Sequence, residues 1–198
     1  MRREAGQRTR ARLLDAALDQ LAQRGEEGVT LRELTGAAGA NVAAVSYHFG
    51  SLRLLCDAAV EQALESYLDA QEEAVAALGP DPSLEAVAEA FARPMIHAVT
   101  VGGREFDVMR IVARAGIDPP QGWDRLTHRF DRIREDVLGV LRPNLPGVSD
   151  RVLIFRIRCA AGLLNWLVLA PIGADLRDKS RRQIQRLVVP VVAGALGA

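Results

Sequence analysis

The 198-residue chain has little of what staples, tethers or arms a protein. Its two cysteines, Cys56 and Cys159, are far apart and carry no pairing motif, so no disulfide framework is written into it and both read as reduced, buried thiols. Three histidines, His48, His97 and His128, form no spaced ligand set with them, which leaves no metal site and no cofactor to expect. Formal net charge is zero, with 25 basic and 25 acidic residues, so the whole molecule is not a general polyanion binder. The charged start lacks the apolar core of a signal peptide. The longest apolar run, Cys159 to Ala170, contains Asn165 and is too short to span a bilayer, so cytoplasmic residence without a membrane is expected. A nucleophile beside a base, paired carboxylates and a phosphate loop are all missing, which disfavours an enzyme. No strand-like alternation, repeat or low-complexity segment is found.

What is present is helical. Apolar residues make up 49% and aromatic residues 5%, the balance of an Ala/Leu/Val-rich all-α protein large enough to bury a substantial core. A first helix is predicted from Thr9 to Arg24, with Leu14, Ala17, Leu18 and Leu21 on one face and Gly25 ending it. A long helix follows from Leu52 to Leu78, stopped by GPDP. Ser83 caps the next, which Pro94 should kink, and Val101-Gly102-Gly103 ends it. Glu105 to Ala115 makes a short helix, GIDPPQG a loop, and Asp124 to Arg142 a strongly amphipathic helix broken by RPNLPG. Ser149 caps a helix to Ala170, and Ser180 starts the last one, which Pro190 should kink or restart.

The stretch from 30 to 53 stands apart. Thr30 and Glu33 fit a capping box, with Leu31, Leu34 and Ala38 on one apolar face; Gly39 permits a positive φ, and Asn41 can cap a second helix. Two helices joined so closely cross steeply, as in a helix-turn-helix. At 100° per residue, Val42, Val45 and Phe49 fall on one side of the second helix, and Ala43, Ala44, Tyr47 and His48 on the other. Small residues followed by hydrogen-bonding groups suit a helix seated in a major groove. An ordinary surface helical hairpin fits the same spacing equally well. Upstream, residues 1 to 12 hold five arginines against Glu4, giving 5 − 1 = +4. Such an arm can follow a phosphate backbone or serve as a solubilising tail.

The order Gly25, Thr30, Arg32, Glu33, Ala38, Gly39, Asn41, Tyr47, His48, Phe49, Gly50, Ser51 resembles the amino-terminal domain of TetR-family transcriptional regulators, especially those with a SYHFGS-type recognition helix. The resemblance implies a three-helix DNA-reading head over residues 1–51 and a helical body over 52–198, about nine helices in all. It implies DNA contacts from Arg8, Thr30, Arg32, Asn41, Ala43, Ala44, Tyr47, His48 and Arg53. Members usually place Lys after the motif's Ser to meet phosphate; Leu52 stands there in this chain, with Arg53 one position on.

The resemblance also implies an effector cavity among the middle helices, for which Phe91, Met95, His97, Phe106, Met109, Arg110, Asn165 and Trp166 are candidates, each equally able to be plain core. The last two helices read as an association surface, with Phe155, Cys159, Leu163, Ile184, Leu187, Val188 and Val191 as candidates. They could instead close the monomer core; pairing is favoured because a two-fold protein reads two half-sites. The expectation is a homodimeric regulator, released as a repressor from a palindromic operator by a small-molecule effector. The competing reading is a helical interaction or small-molecule-binding protein without operator binding.

Overall fold

The computed structural model describes residues 2–117, 124–170 and 172–198. Among them the fold is all-α, with ten helices: α1 Arg2–Arg24, α2 Leu31–Ala37, α3 Val42–Phe49, α4 Leu52–Ala76, α5 Leu84–Val101, α6 Gly103–Ile117, α7 Asp124–Asn144, α8 Asp150–Leu169, α9 Ile172–Arg177 and α10 Arg181–Gly197. A short 3-10 turn, Glu26–Gly28, joins α1 to α2. Of the expected loop at residues 116–122, Gly116 and Ile117 belong to α6 and the remainder lies outside the described residues.

Helix ends follow the local chemistry. Thr30, Asn41, Ser51, Ser83 and Ser180 each accept the amide three residues on, satisfying one of the donors a helix start leaves open. The full reciprocal capping box belongs to Ser180 and Gln183. At Thr30 the return bond is replaced: the Glu33 carboxylate accepts the Thr30 hydroxyl at 2.8 Å and Arg24 at 2.9 Å, because Arg24 at the end of α1 reaches it. Ser149 precedes α8 without a side-chain cap bond, contrary to expectation.

Three further departures have physical causes. The basic arm is not a loose tail, since α1 is helical from Arg2. Pro190 lies inside α10, which runs on through it, while α7 ends at Asn144 within the expected RPNLPG break. Helix α9 follows Ala170 closely, leaving too short a run for period to reveal.

One core runs from end to end, from Leu13, Leu18 and Leu34 through Leu55, Leu68 and Ile96 to Leu153, Ile184 and Leu196. Helix α4 lies at its centre, against α1, α3, α5, α6 and α7, while α10 packs on α5 and α8. The head is therefore not a separate bead. Helix α1 contacts α2 and α3 on one side and α4 and α6 on the other.

Pro94 sits fully inside α5 and cannot donate to the Ala90 carbonyl one turn back. Gln71 of α4, 1% exposed, supplies that bond from Nε2 at 3.4 Å, and its Oε1 accepts the Tyr67 hydroxyl at 3.4 Å. Burial pushes the Tyr67 phenol up to about 12, so it stays a donor at any working pH. Gln71→Leu is expected to lower stability by about 1–3 kcal/mol in urea unfolding. In a Pro94→Ala background the restored backbone donor should remove about 1 kcal/mol of that cost; strict additivity would contradict this account.

Candidate nucleic-acid interface

Helix α3 is held on its inner side by Val45, 2% exposed, and by Phe49 and Ala44, which pack against the core. Its free arc is Val42 at 51% exposure, Ala43, Ser46 and Tyr47 at 83%. That arc is turned by about one residue, ~100°, from the one expected. Val42 faces out rather than in, because three apolar positions compete for a face that Val45 fills. Ala44 and His48 lie on its flank, both half-buried. The His48 ring stands edge-on to Tyr47 at 4.9 Å, and a Cβ at Gly6 of α1 would come within 3.8 Å of it, so His48 works as a joint between α1 and α3. Ser46 is the exposed hydroxyl that the sequence reading passed over; its place between Ala43 and Tyr47 was the available signal.

The turn before α3 fixes its angle. Gly39 has φ +56°, a value L side chains rarely adopt, and a Cβ there would lie 3.5 Å from Arg12 Nη1. Arg12 thus reaches the turn from α1, and Arg10 stacks over the Phe49 ring at 5.0 Å. Arg8 and Arg32 are exposed, as are Thr30 and Asn41 at their helix starts. Beyond α3, Leu52 is tucked against the core, while Arg53 is exposed with its Nε 3.9 Å from Asp57 Oδ2. At the start of α4, Ser51 Oγ accepts the Leu54 amide at 3.2 Å. Glu33 is held below the ordinary carboxylate range, first by the Thr30 hydroxyl and then by Arg24, and so stays ionised without competing for DNA phosphate contacts.

Elsewhere the expected residues divide. Phe91, Met95, Phe106 and Met109 are buried, and Met109 and the exposed His97 line a cavity of about 270 Å³ beside Pro94 and Tyr67. Arg110 and Asn165 are half-buried, and Asn165 Nδ2 closes on Gly116. Trp166, 55% exposed, faces away from the interior, which corrects its place among the cavity residues. Cys159, read as buried, is exposed. It continues a stripe of Val152, Phe155 at 66%, Trp166, Leu187 and Val191, with Leu163 half-buried alongside. Ile184 and Val188 point the other way, at 0% and 3%, because α10 turns that side onto α5; they belong to the protomer's own core and not to this outer face. Helix α8 is long and apolar enough to cross a membrane by length and composition, with mean hydropathy 1.8 and 28% of its best window buried. No group of three metal-ligating side chains is found among the described residues.

These features define a helix-turn-helix head that leaves one arc of the short helix α3 exposed. Residues 13–59 match the family model for bacterial regulatory proteins of the tetR family, so the head carries the DNA-binding domain of that family. A comparison with curated proteins finds no match. Among solved structures, the chain is similar to a TetR-family regulator from Marinobacter aquaeolei, at 15% identity and TM-score 0.69 over 98% of each chain. It is also similar to the TetR-family regulator PfmR from Thermus thermophilus, at 18% identity and TM-score 0.67, over 94% of this chain and 99% of that one. A third likeness is to HlyIIR, a hemolysin II transcriptional regulator, at 19% identity and TM-score 0.57, over 98% and 99% of the two chains. At such identities the likeness carries the fold.

Bulk on the free arc should block docking without harming the fold. Ala43→Leu and Tyr47→Ala are expected to weaken duplex binding about tenfold or more, measured by fluorescence anisotropy, with thermal unfolding unchanged. Ala44→Leu should instead lower the melting temperature, since that side chain packs inward.

Proposed function

We propose that the protein is a homodimeric repressor that holds a palindromic operator through α3 and leaves it when a small-molecule effector occupies the body. The observation that carries the reading is Tyr47, 83% exposed on a short helix otherwise lined by Ala43 and Ser46. A large aromatic so bare, beside residues so small, suits entry into a major groove. Residues 1–51 then act as the reader, with Arg8, Arg32 and Arg53 toward phosphate, and residues 52–198 as the responding and pairing body. Such a regulator works in the cytoplasm.

The outer face of α8 and α10 supports pairing. Phe155, Trp166, Leu187 and Val191 are each about half exposed or more in a single chain. Burying a side chain of this size contributes roughly 1.5–3 kcal/mol, so a second copy on this face would be favoured. Arg156 and Arg158 in mid-helix argue against a bilayer as the cover. The two arrangements needed for control differ in how the paired heads are spaced, and an effector shifts them only by its differential affinity.

Selection of bound sequences from a random duplex pool is expected to return an inverted repeat; absence of any sequence preference would favour the interaction-module reading. Phe155→Glu should give a monomer by sedimentation. It should also speed alkylation of Cys159, while Cys56, whose thiol burial pushes up to about 11, stays unreactive in both forms.

A further inference from the structure

A cavity of about 780 Å³ lies at the seam between head and body and is lined by Leu21, Val60, Ile111, Ala115 and Leu169, with Arg114 reaching into it from α6. Several arginines that bridge helices meet acids: Arg104 joins Asp15 and Asp19, Arg129 joins Asp69 and Glu72, and Arg142 joins Asp150, whereas Arg156 of α8 donates to the Leu196 carbonyl of α10. Arg114 meets no carboxylate among the described residues. Its Nη1 donates to the Leu21 and Ala22 carbonyls at 2.6 Å each, leaving the Nε and Nη2 edge without a partner there. Burial and then the neighbouring charge of Arg110 both disfavour its cation. An unpaired guanidinium beside apolar walls lacks an anion.

We infer that this cleft binds a small amphipathic monocarboxylate, its acid group paired fork to fork with the Nε and Nη2 edge of Arg114 and its hydrocarbon among Leu21, Ile111 and Leu169. Arg24 also lines the cleft but is paired with Glu33, so Arg114 is the cation that faces the ligand, its full charge set against about −0.5 from the carboxyl end of α1. Glu26 and Glu27 stand exposed at the rim, where they repel dianions such as phosphate more than a monoanion. A ligand so placed sits across the α1–α6 seam and bears on the head; that consequence, unlike the binding itself, rests on the regulator reading above.

Calorimetry on the full chain with octanoate, octan-1-ol and inorganic phosphate tests the site. Octanoate should bind about tenfold tighter than octanol, the worth of a charged bidentate pair, and phosphate should not bind in the same range. Arg114→Met should bring octanoate down to the octanol level, and Arg114→Lys should keep part of the difference. Ile111→Trp, which fills the cleft and leaves the charge, should abolish both ligands, and it decides the matter if Arg114→Met does not fold. Equal affinity for acid and alcohol, or octanoate binding untouched by Ile111→Trp, overturns the site. If selected duplexes bind and octanoate does not, the site fails and the regulator stands. If octanoate binds as described and no duplex does, the site stands and the regulator reading fails.

Discussion

Everything in the molecule depends on how α1 is held. It buries Leu13, Leu14, Ala17, Leu18 and Leu21 against the rest of the core, so it is at once the back of the DNA-reading head and a wall of the body. Helix α6 grips it at two points, one on Asp15 and Asp19 and the other on Leu21 and Ala22 in the last turns of α1. Arg104 reaches Asp19 at 2.6 Å and Asp15 at 2.5 Å, and Arg114 takes the carbonyls of Leu21 and Ala22. The first contact is partly exposed, and such pairs contribute at most ~1 kcal/mol. Its importance is geometric: with the apolar stripe it opposes sliding and rotation of α1 on α6, and under the proposed function it is this joint that would pass a displacement of α6 to the head.

The head in turn converts that constraint into a presented surface. Arg12 and Arg10 of α1 touch the Gly39 turn and the Phe49 ring, and His48 packs toward Gly6. Helix α3 is thus oriented by α1 on one side and by Val45 below. This packing leaves Val42, Ala43, Ser46 and Tyr47 exposed on α3, and on the proposed reading these are the residues that meet DNA.

Much of this was legible in the sequence because it is local. Caps at Thr30, Asn41, Ser83 and Ser180 and the turn glycines Gly25 and Gly39 act within a few residues, and their chemistry is the same in any fold. The errors lie where a tertiary partner decides. Whether Val42 or Ala44 faces inward depends on where α1 and α4 stand, and an eight-residue helix with apolar residues on most sides does not say. Ile184 and Val188 share the apolar period of Leu187 and Val191, but α5 claims one side of α10 and leaves the other exposed. Trp166 is a cavity candidate only through the family resemblance, and Leu164 and Val168 fill the inner side of α8 instead. The seam cleft had no signal, since Leu21, Val60 and Arg114 come together only in the folded chain.

The central claim is that α3 of each of two paired chains reads one half of a duplex site. Hydroxyl-radical footprinting on a selected duplex tests it most directly. Two protected patches centred about one helical turn apart or a multiple of it, roughly 34 Å, on one face of the DNA are predicted, both vanishing with Tyr47→Ala. A single patch, or protection that survives this substitution, would contradict the account.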